Sequence, residues 1–372
     1  MSDITLSSGI RQNLLALQNT SNDLNTTQEQ LSTGKKVNTA FDNPTSYFTS
    51  QSLTNRANDL SALLDQVGQA QQTLNAANDG LTGLTSLLEQ ALSTAQQAQQ
   101  ASNDTAGTTT GTVSLTTNTL AAGNLLIATG GTTYTVSVVA SAALSTIEAD
   151  INGTSGLGST GAVTATDDGS GHLVLTANSP STSFTASGAE QGAFGLVATA
   201  VTGTSSTRTT LQTNYNSLLT QIDQLAGDSS YNGVNLLNGN NLTVNFNENG
   251  TSSLTISGVN FTHSGLGLSS IAAGGFQTAS TITTAETAIN AAISTVRAQT
   301  ETFGTNSSTI STRQTFETNL INTLQTGASN LVLADQNQAS ANLLTEQTQQ
   351  QLEISALSIA NQANQSVLKL FG

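Results

Sequence analysis

The chain has no cysteine and no tryptophan, only two prolines, and very little charge. Without cysteine there is no disulfide, no thiolate metal site and no cysteine nucleophile, so stability must come from packing. Asp, Glu, Lys and Arg make up 8% of the 372 residues, where a soluble domain usually has about 25%. Gln, Asn, Ser and Thr fill the surface positions instead. A hydrogen-bonded amide or hydroxyl is far less costly to bury than a charge, so faces of this kind can be packed together in bulk. Bases are the rarer sign: 8 Lys and Arg against 23 Asp and Glu give a net charge of −15. None lies between Arg56 and Arg208. That balance argues against nucleic acid as a partner.

No apolar run approaches the ~20 residues a bilayer-spanning helix needs, so membrane insertion is not expected. Met1-Ser2-Asp3-Ile4 has neither the basic region nor the apolar core of a cleaved signal peptide. Motifs of enzymes are missing too: there is no phosphate-binding GxxxxGK, no HExxH and no GxSxG. His172 and His263 stand far apart in sequence and read as surface residues. Asp167-Asp168-Gly169-Ser170-Gly171 has the look of a calcium loop but lacks its later acidic ligands, and a hairpin turn fits better. Glu346 and Glu353 are expected on a solvated helix face. The expectation is therefore no enzyme, no catalytic residue, no metal and no cofactor.

What is present is periodicity. Ile10, Leu14, Leu17, Leu24 and Leu31 follow four-three spacing, with Ser21 and Gln28 in the missing positions, and predict a helix with one narrow apolar seam. A connector bounded by Gly34 and Pro44 should break it. Leucines then recur from Leu53 to about Ala101 and predict one very long helix, with Gly68, Gly80 and Gly83 as its weak points. Residues 104–205 are Gly/Thr/Ser-rich, with strand-like runs at 113–117, 125–129, 133–139, 163–166 and 173–177 and one short helix at 142–151. Helix returns at 207–225, followed by a hairpin through 242–246 and 254–256. Ile289, Ala292, Val296 and Phe303, then Ile310, Phe316, Leu320, Leu324 and Leu331, predict another long helical stretch. A last helix from about 338 to 370 carries Leu352, Ala356, Ile359, Ala363, Val367 and Leu370 on one face.

The fold class is thus mainly α at both termini, as long helices in a coiled-coil or bundle rod, with a central β-rich insert domain. The expected domains are 1–44 with 333–372, 45–103 with 206–332, and 104–205. Helices with one narrow seam are marginal alone, so the first and last are expected to pair seam to seam. Off-seam Leu15, Ile354 and Leu357 would need further neighbours. Periodicity by itself fits an internal core in a monomeric bundle better than a seam shared between copies.

A resemblance turns that reading. Leu14-Leu15-Ala16-Leu17, then Leu31-Ser32-Thr33-Gly34-Lys35-Lys36-Val37-Asn38, resembles the N-terminal signature of bacterial flagellins. Leu357-Ser358-Ile359-Ala360-Asn361-Gln362-Ala363-Asn364-Gln365-Ser366-Val367-Leu368 is similar to their C-terminus, with Phe371-Gly372 as the short apolar finish. Arg208 through Gly239 resembles the segment where such chains return from their variable region. The resemblance implies an elongated, multi-domain, self-assembling subunit of the extracellular flagellar filament, used in swimming motility. It implies export through the flagellar type III apparatus without a cleaved signal peptide, a secretion chaperone, and cap and hook-junction proteins as partners. The seam residues then become assembly residues. Ser86 and Leu88 stand where many flagellins carry arginines read by an innate immune receptor, so the resemblance does not extend to that recognition. Two alternatives stay open: a hook-filament junction protein of the same superfamily, and a surface adhesin on a coiled-coil stalk.

Overall fold

The computed structural model describes residues 8–116, 120–158 and 161–371, with the side chains at 364 and 367–371 outside that description. Met1-Ser2-Asp3-Ile4, Thr117 and Gly372 therefore lie outside the described residues, as do the side chains of Val367 and Leu370. In chain order come α1 (Ser8–Thr33), α2 (Pro44–Gln100), β1 (Thr108–Thr110), β2 (Gly123–Thr129), β3 (Thr132–Val138), α3 (Leu144–Gly153), β4 (Val163–Asp167), β5 (Leu173–Ala177), β6 (Phe184–Ser187) and α4 (Ala189–Ala193). The chain then returns through α5 (Ser206–Asp228), β7 (Leu242–Asn245), β8 (Ser253–Ile256), α6 (Ala279–Val332) and α7 (Gln336–Phe371). The described residues fall into two compact units, one within Met1–Gln71, Thr243–Thr255 and Ser307–Gly372, the other within Gln72–Leu242 and Ile256–Asn306.

In the first unit Ala57, Leu60, Ile321 and Leu324 form a buried cluster, with Leu53, Leu63, Leu64 and Leu320 packed around it. Polar contacts fix the surrounding register. The Ser50 hydroxyl donates to the Ala328 carbonyl at 3.0 Å and Gln71 donates to Ser307 at 2.6 Å. Beyond β7, Glu248 pairs with Arg56 at 2.9 Å, and the Arg313 guanidinium lies 5.3 Å from the centre of the Phe246 ring. One expectation fails here: Phe316 is exposed, and its neighbour Glu317 is the buried residue.

In the second unit α2 contributes Leu74, Leu81, Leu84 and Leu88, all fully buried. Tyr215, Leu219 and Ile222 of α5 and Ile289, Val296 and Phe303 of α6 are buried as well. Glycine decides how closely these helices approach. A Cβ on Gly80 would stand 2.7 Å from Leu237 Cδ1 and 2.8 Å from Ser229 Cβ, and one on Gly83 would stand 2.7 Å from Leu225 Cδ2. The glycines expected to weaken α2 leave the helix unbroken and let α5 and the following loop pack against it. Buried Asn235 closes α5, its amide donating to the Ala226 and Gly227 carbonyls at 2.8 Å each.

Residues 106–201 carry a hydrophobic core of their own. Two three-stranded antiparallel sheets, in the orders β1-β5-β4 and β3-β2-β6, supply it through period-two alternation: Leu173, Leu175 and Ala177 of β5 and Leu125 and Ile127 of β2 all point inward. Ile147, Ile151, Phe184 and Phe194 complete it. Three elements escaped the sequence reading. β1 is three threonines with only Thr109 buried, and β6 and α4 are too short to show a period. The run 113–117 is not a strand over its described residues. Its Val113 and Leu115 amides donate to the Phe194 and Gly171 carbonyls as a loop. The neck is closed by reciprocal Thr105–Thr204 amide bonds of 3.0 and 2.9 Å. Arg208 holds the same place: its Nε donates to the Ala98 carbonyl at 3.0 Å, supplying a cation to the last turn of α2.

Gly80→Ala should lower the unfolding free energy by about 1–3 kcal/mol, because the new methyl overpacks the α5 contact. Gly68→Ala should raise stability by up to ~1 kcal/mol, since nothing lies within 4 Å of its added carbon. Denaturant midpoints of the two variants check both signs.

Candidate assembly interface

Two helix ends meet where the first and last helices begin. Gly34 leaves α1 with φ +69, the left-handed conformation that glycine adopts without penalty. Lys36 then donates to the Val332 carbonyl at 2.7 Å, and Ala334 donates back to the Gly34 carbonyl at 3.0 Å. The α1–α2 connector and the α6–α7 turn are thereby tied to each other. Asp42 Oδ2 accepts from the Asn38 and Thr39 amides at 2.8 Å each, and those bonds hold its pKa below the usual value. Asn43 accepts from the Ser46 amide at 2.9 Å and caps α2, with Pro44 at its first position. Asp335 does the same for α7, accepting from Asn337 and Gln338. The Leu-Ser-Thr-Gly-Lys-Lys-Val-Asn run is thus a backbone joint that starts α7 beside the end of α1.

From that joint the two helices run antiparallel along one seam. On α1 the inward positions are Ile10, Asn13, Leu17, Thr20, Leu24, Thr27 and Leu31, a strict three-four alternation. Ile10, Leu17, Leu24 and Leu31 lie where the sequence placed them, buried or half-buried. Thr20 and Thr27 fill the intervening positions assigned to Ser21 and Gln28, and Leu14 is 40% exposed. On α7 the inward positions are Ala339, Leu343, Glu346, Gln350, Glu353, Leu357 and Ala360. Here the expectation is overturned. Leu352, Ala356, Ile359 and Ala363 face away from α1, and Glu346 and Glu353 turn from solvent into the seam. The physical reason is a pair of hydrogen bonds: the Thr20 hydroxyl donates to Glu353 Oε1 at 3.0 Å, and the Thr27 hydroxyl donates to Glu346 Oε1 at 3.1 Å.

The outer face of α7 is consequently apolar and open. Leu344 is 70% exposed, Leu352 66%, Ile354 52% and Ile359 68%. Leu344 and Leu352 line a shallow surface groove with Ala341, Thr345, Thr348 and Gln349. Leu15 on α1 is exposed too. Around these patches the helix surfaces are neutral, and many of their hydroxyls are satisfied within the helix. Thr345, Thr348, Ser355 and Ser366 each donate to the carbonyl four residues earlier at 2.8–2.9 Å. Such a surface loses little hydrogen bonding to water when another surface covers it.

A family model described as the bacterial flagellin N-terminal helical region matches residues 8–119, and one described as the bacterial flagellin C-terminal helical region matches residues 286–371. Together they take in just over half of the chain. Flagellin FljM of Caulobacter vibrioides is 30% identical over 162 residues, covering 43% of this chain and 59% of that protein. Flagellin FljK of the same organism is 28% identical with the same coverage, and flagellin FljO is 36% identical over 83 residues, 21% of this chain and 30% of that protein. The chain thus spans about six-tenths of the length of FljM and FljK, and less of FljO. The matched N-terminal region includes all of α1, and the matched C-terminal region includes all of α7.

Between those regions the residues singled out for chemistry are engaged in holding loops. Asp167 accepts from the Gly169 and Gly171 amides at 3.0 Å, and Asp168 Oδ1 from Ser170 at 2.7 Å and His172 at 3.1 Å. The loop closes the β4–β5 hairpin. His263 donates its amide to Asp223 Oδ1 at 2.7 Å and sets its ring Nδ1 2.7 Å from Oδ2, pinning a loop to α5. Buried Glu317 has no hydrogen-bond partner at either oxygen; burial pushes its pKa up and Arg313 opposes the shift. Among the described residues no three His, Cys, Asp or Glu side chains are grouped to hold a metal ion, and no helix is long and apolar enough to cross a membrane.

The Asp168 carboxyl is held down to about 2, chiefly by the Ser170 amide and then by His172. Its folded pKa lies below the usual 3.8, so its contribution to the hairpin is complete above that value and lost as pH falls through about 2. The Ser170 and His172 amide resonances should therefore hold steady from neutral pH to about pH 4 and shift only as acid is added below it.

Proposed function

The chain belongs to the bacterial flagellin family, and from that premise we propose that it is the structural subunit of a helical flagellar filament, assembled from many copies outside the cell. The observation that carries this reading is the open apolar face of α7. Four leucine and isoleucine side chains lie in water along a helix that its own chain covers only on the opposite side. Burying each contributes ~1.5–3 kcal/mol, and the only surface sure to be present wherever this helix is present is another copy. A contact between unlike patches that does not close on itself propagates as a filament.

In this reading the terminal pair is weak in the single chain, because its inner seam is half polar, and it becomes fully ordered as copies stack. Residues 1–44 with 333–372 would form the inner tube, 45–103 with 206–332 the outer tube, and 104–205 the solvent-facing domain, whose separate core and narrow neck suit that place. The seam residues Ile10, Leu14, Leu17, Leu24, Leu31, Leu352, Ala356, Ile359, Ala363, Val367 and Leu370 divide in this proposal between a face within the chain and a face between copies. The type III export apparatus, a secretion chaperone, and the cap and hook-junction proteins are the further partners, and swimming motility is the use. No cofactor and no catalysis enter the scheme.

Ile359→Asp puts a charge on the open face, where an exposed substitution changes single-chain stability by less than about 0.5 kcal/mol. It should leave the thermal unfolding of the 106–201 core unchanged and abolish filaments seen by electron microscopy after seeding. Leu17→Asp, on the half-buried side, should also abolish them while weakening the α1–α7 pair. Normal filaments from both variants would defeat the proposal.

A further inference from the structure

The α1–α7 seam is built inside out. Leu352, Ala356, Ile359 and Ala363 repeat at the same four-three spacing as the inward face of α7, displaced from it by one residue, which is about 100° of rotation. Rolling α7 by that angle would bury leucine and isoleucine on α1 and return Glu346 and Glu353 to water. Hydrophobic burial alone favours the rolled arrangement. The observed one keeps the carboxylates in the seam, and Oε2 of each is buried without a partner. Something specific must hold the less favourable face.

We propose that the Thr20–Glu353 and Thr27–Glu346 hydrogen bonds act as a lock that selects both the register and the rotation of α7, keeping its leucine and isoleucine face outward. The bonds lie one heptad apart on both helices and fit a single antiparallel register. Sliding α7 by a heptad saves one bond and loses the other, and rolling it loses both. Polar residues at seam positions serve this purpose by penalising alternative pairings more than they stabilise their own. The lock is a property of the single chain. The identity of what covers the outward face, a second copy, rests on the filament reading above.

The chain has no cysteine, so introduced pairs report facing without background. Leu24 lies midway between Thr20 and Thr27, opposite Gln350 in the observed rotation and opposite Gln349 in the rolled one. Full-length Leu24→Cys/Gln350→Cys and Leu24→Cys/Gln349→Cys proteins are oxidised mildly in dilute solution, and the intramolecular disulfide is quantified by peptide mass spectrometry. The 350 pair should close about tenfold faster than the 349 pair. Adding Thr20→Val with Thr27→Val should reverse that preference, while Glu346→Gln with Glu353→Gln, which keeps the acceptor oxygens, should preserve it. Equal rates in the parent, closure of neither pair, an unchanged preference in the valine variant, or loss of both disulfides there would each overturn the lock. Sedimentation of the same threonine variants without added cysteine separates the two ideas. A reversed preference with undiminished polymer would leave the lock standing and remove the outward face from the filament contact.

Discussion

Leucine and isoleucine held in water along one face of α7 are the constraint on which the rest depends. A single chain could relieve it by rolling that helix onto α1, and the threonine–glutamate bonds oppose the roll. The apolar face therefore stays open toward its surroundings. Two other features suit a molecule that must pack against its own kind. Charge is nearly absent from the helix surfaces, so covering them does not strand ions. Serine and threonine hydroxyls turn back to carbonyls of their own helix, so covering them removes few bonds to water.

The same economy of charge makes the few ionised groups architectural. Arg208 is the first base after Arg56, and it ends α2 by binding the Ala98 carbonyl where the β-rich segment leaves and returns. Asp42 and Asp335 arrange the turns that start α2 and α7. Asp223 and Asp168 each hold a loop through backbone amides or a histidine ring. A carboxylate accepting backbone amides forms strong, directional bonds, and here it fixes joints whose position the long helices then extend.

Much of the fold was legible because long helices and alternating strands repeat a signal many times. The seam of α1, the strands β2 and β5 and the glycine and asparagine turns all announce themselves through period or through residues that permit positive φ. Short elements do not. β1 is Thr108-Thr109-Thr110, and nothing in three threonines distinguishes a strand from the loops around it. Phe316 and Glu317 mislead for another reason. Composition puts phenylalanine inside and glutamate outside, whereas helical phase put Glu317 in the buried position and left its neighbour in water.

The sequence by itself determined that the ends are seam-bearing helices, that the middle is β-rich, that packing rather than covalent or metal bonds holds them, and that the termini match a filament-forming family. Only the tertiary structure decided which face of α7 meets α1. Two sets of positions on that helix share one spacing and differ by a single residue, so periodicity supplies the period and leaves the phase open. The phase follows from Thr20 and Thr27, more than 300 residues away in sequence, because a hydrogen bond depends on where its partner stands in space and not on the pattern of the helix that carries it.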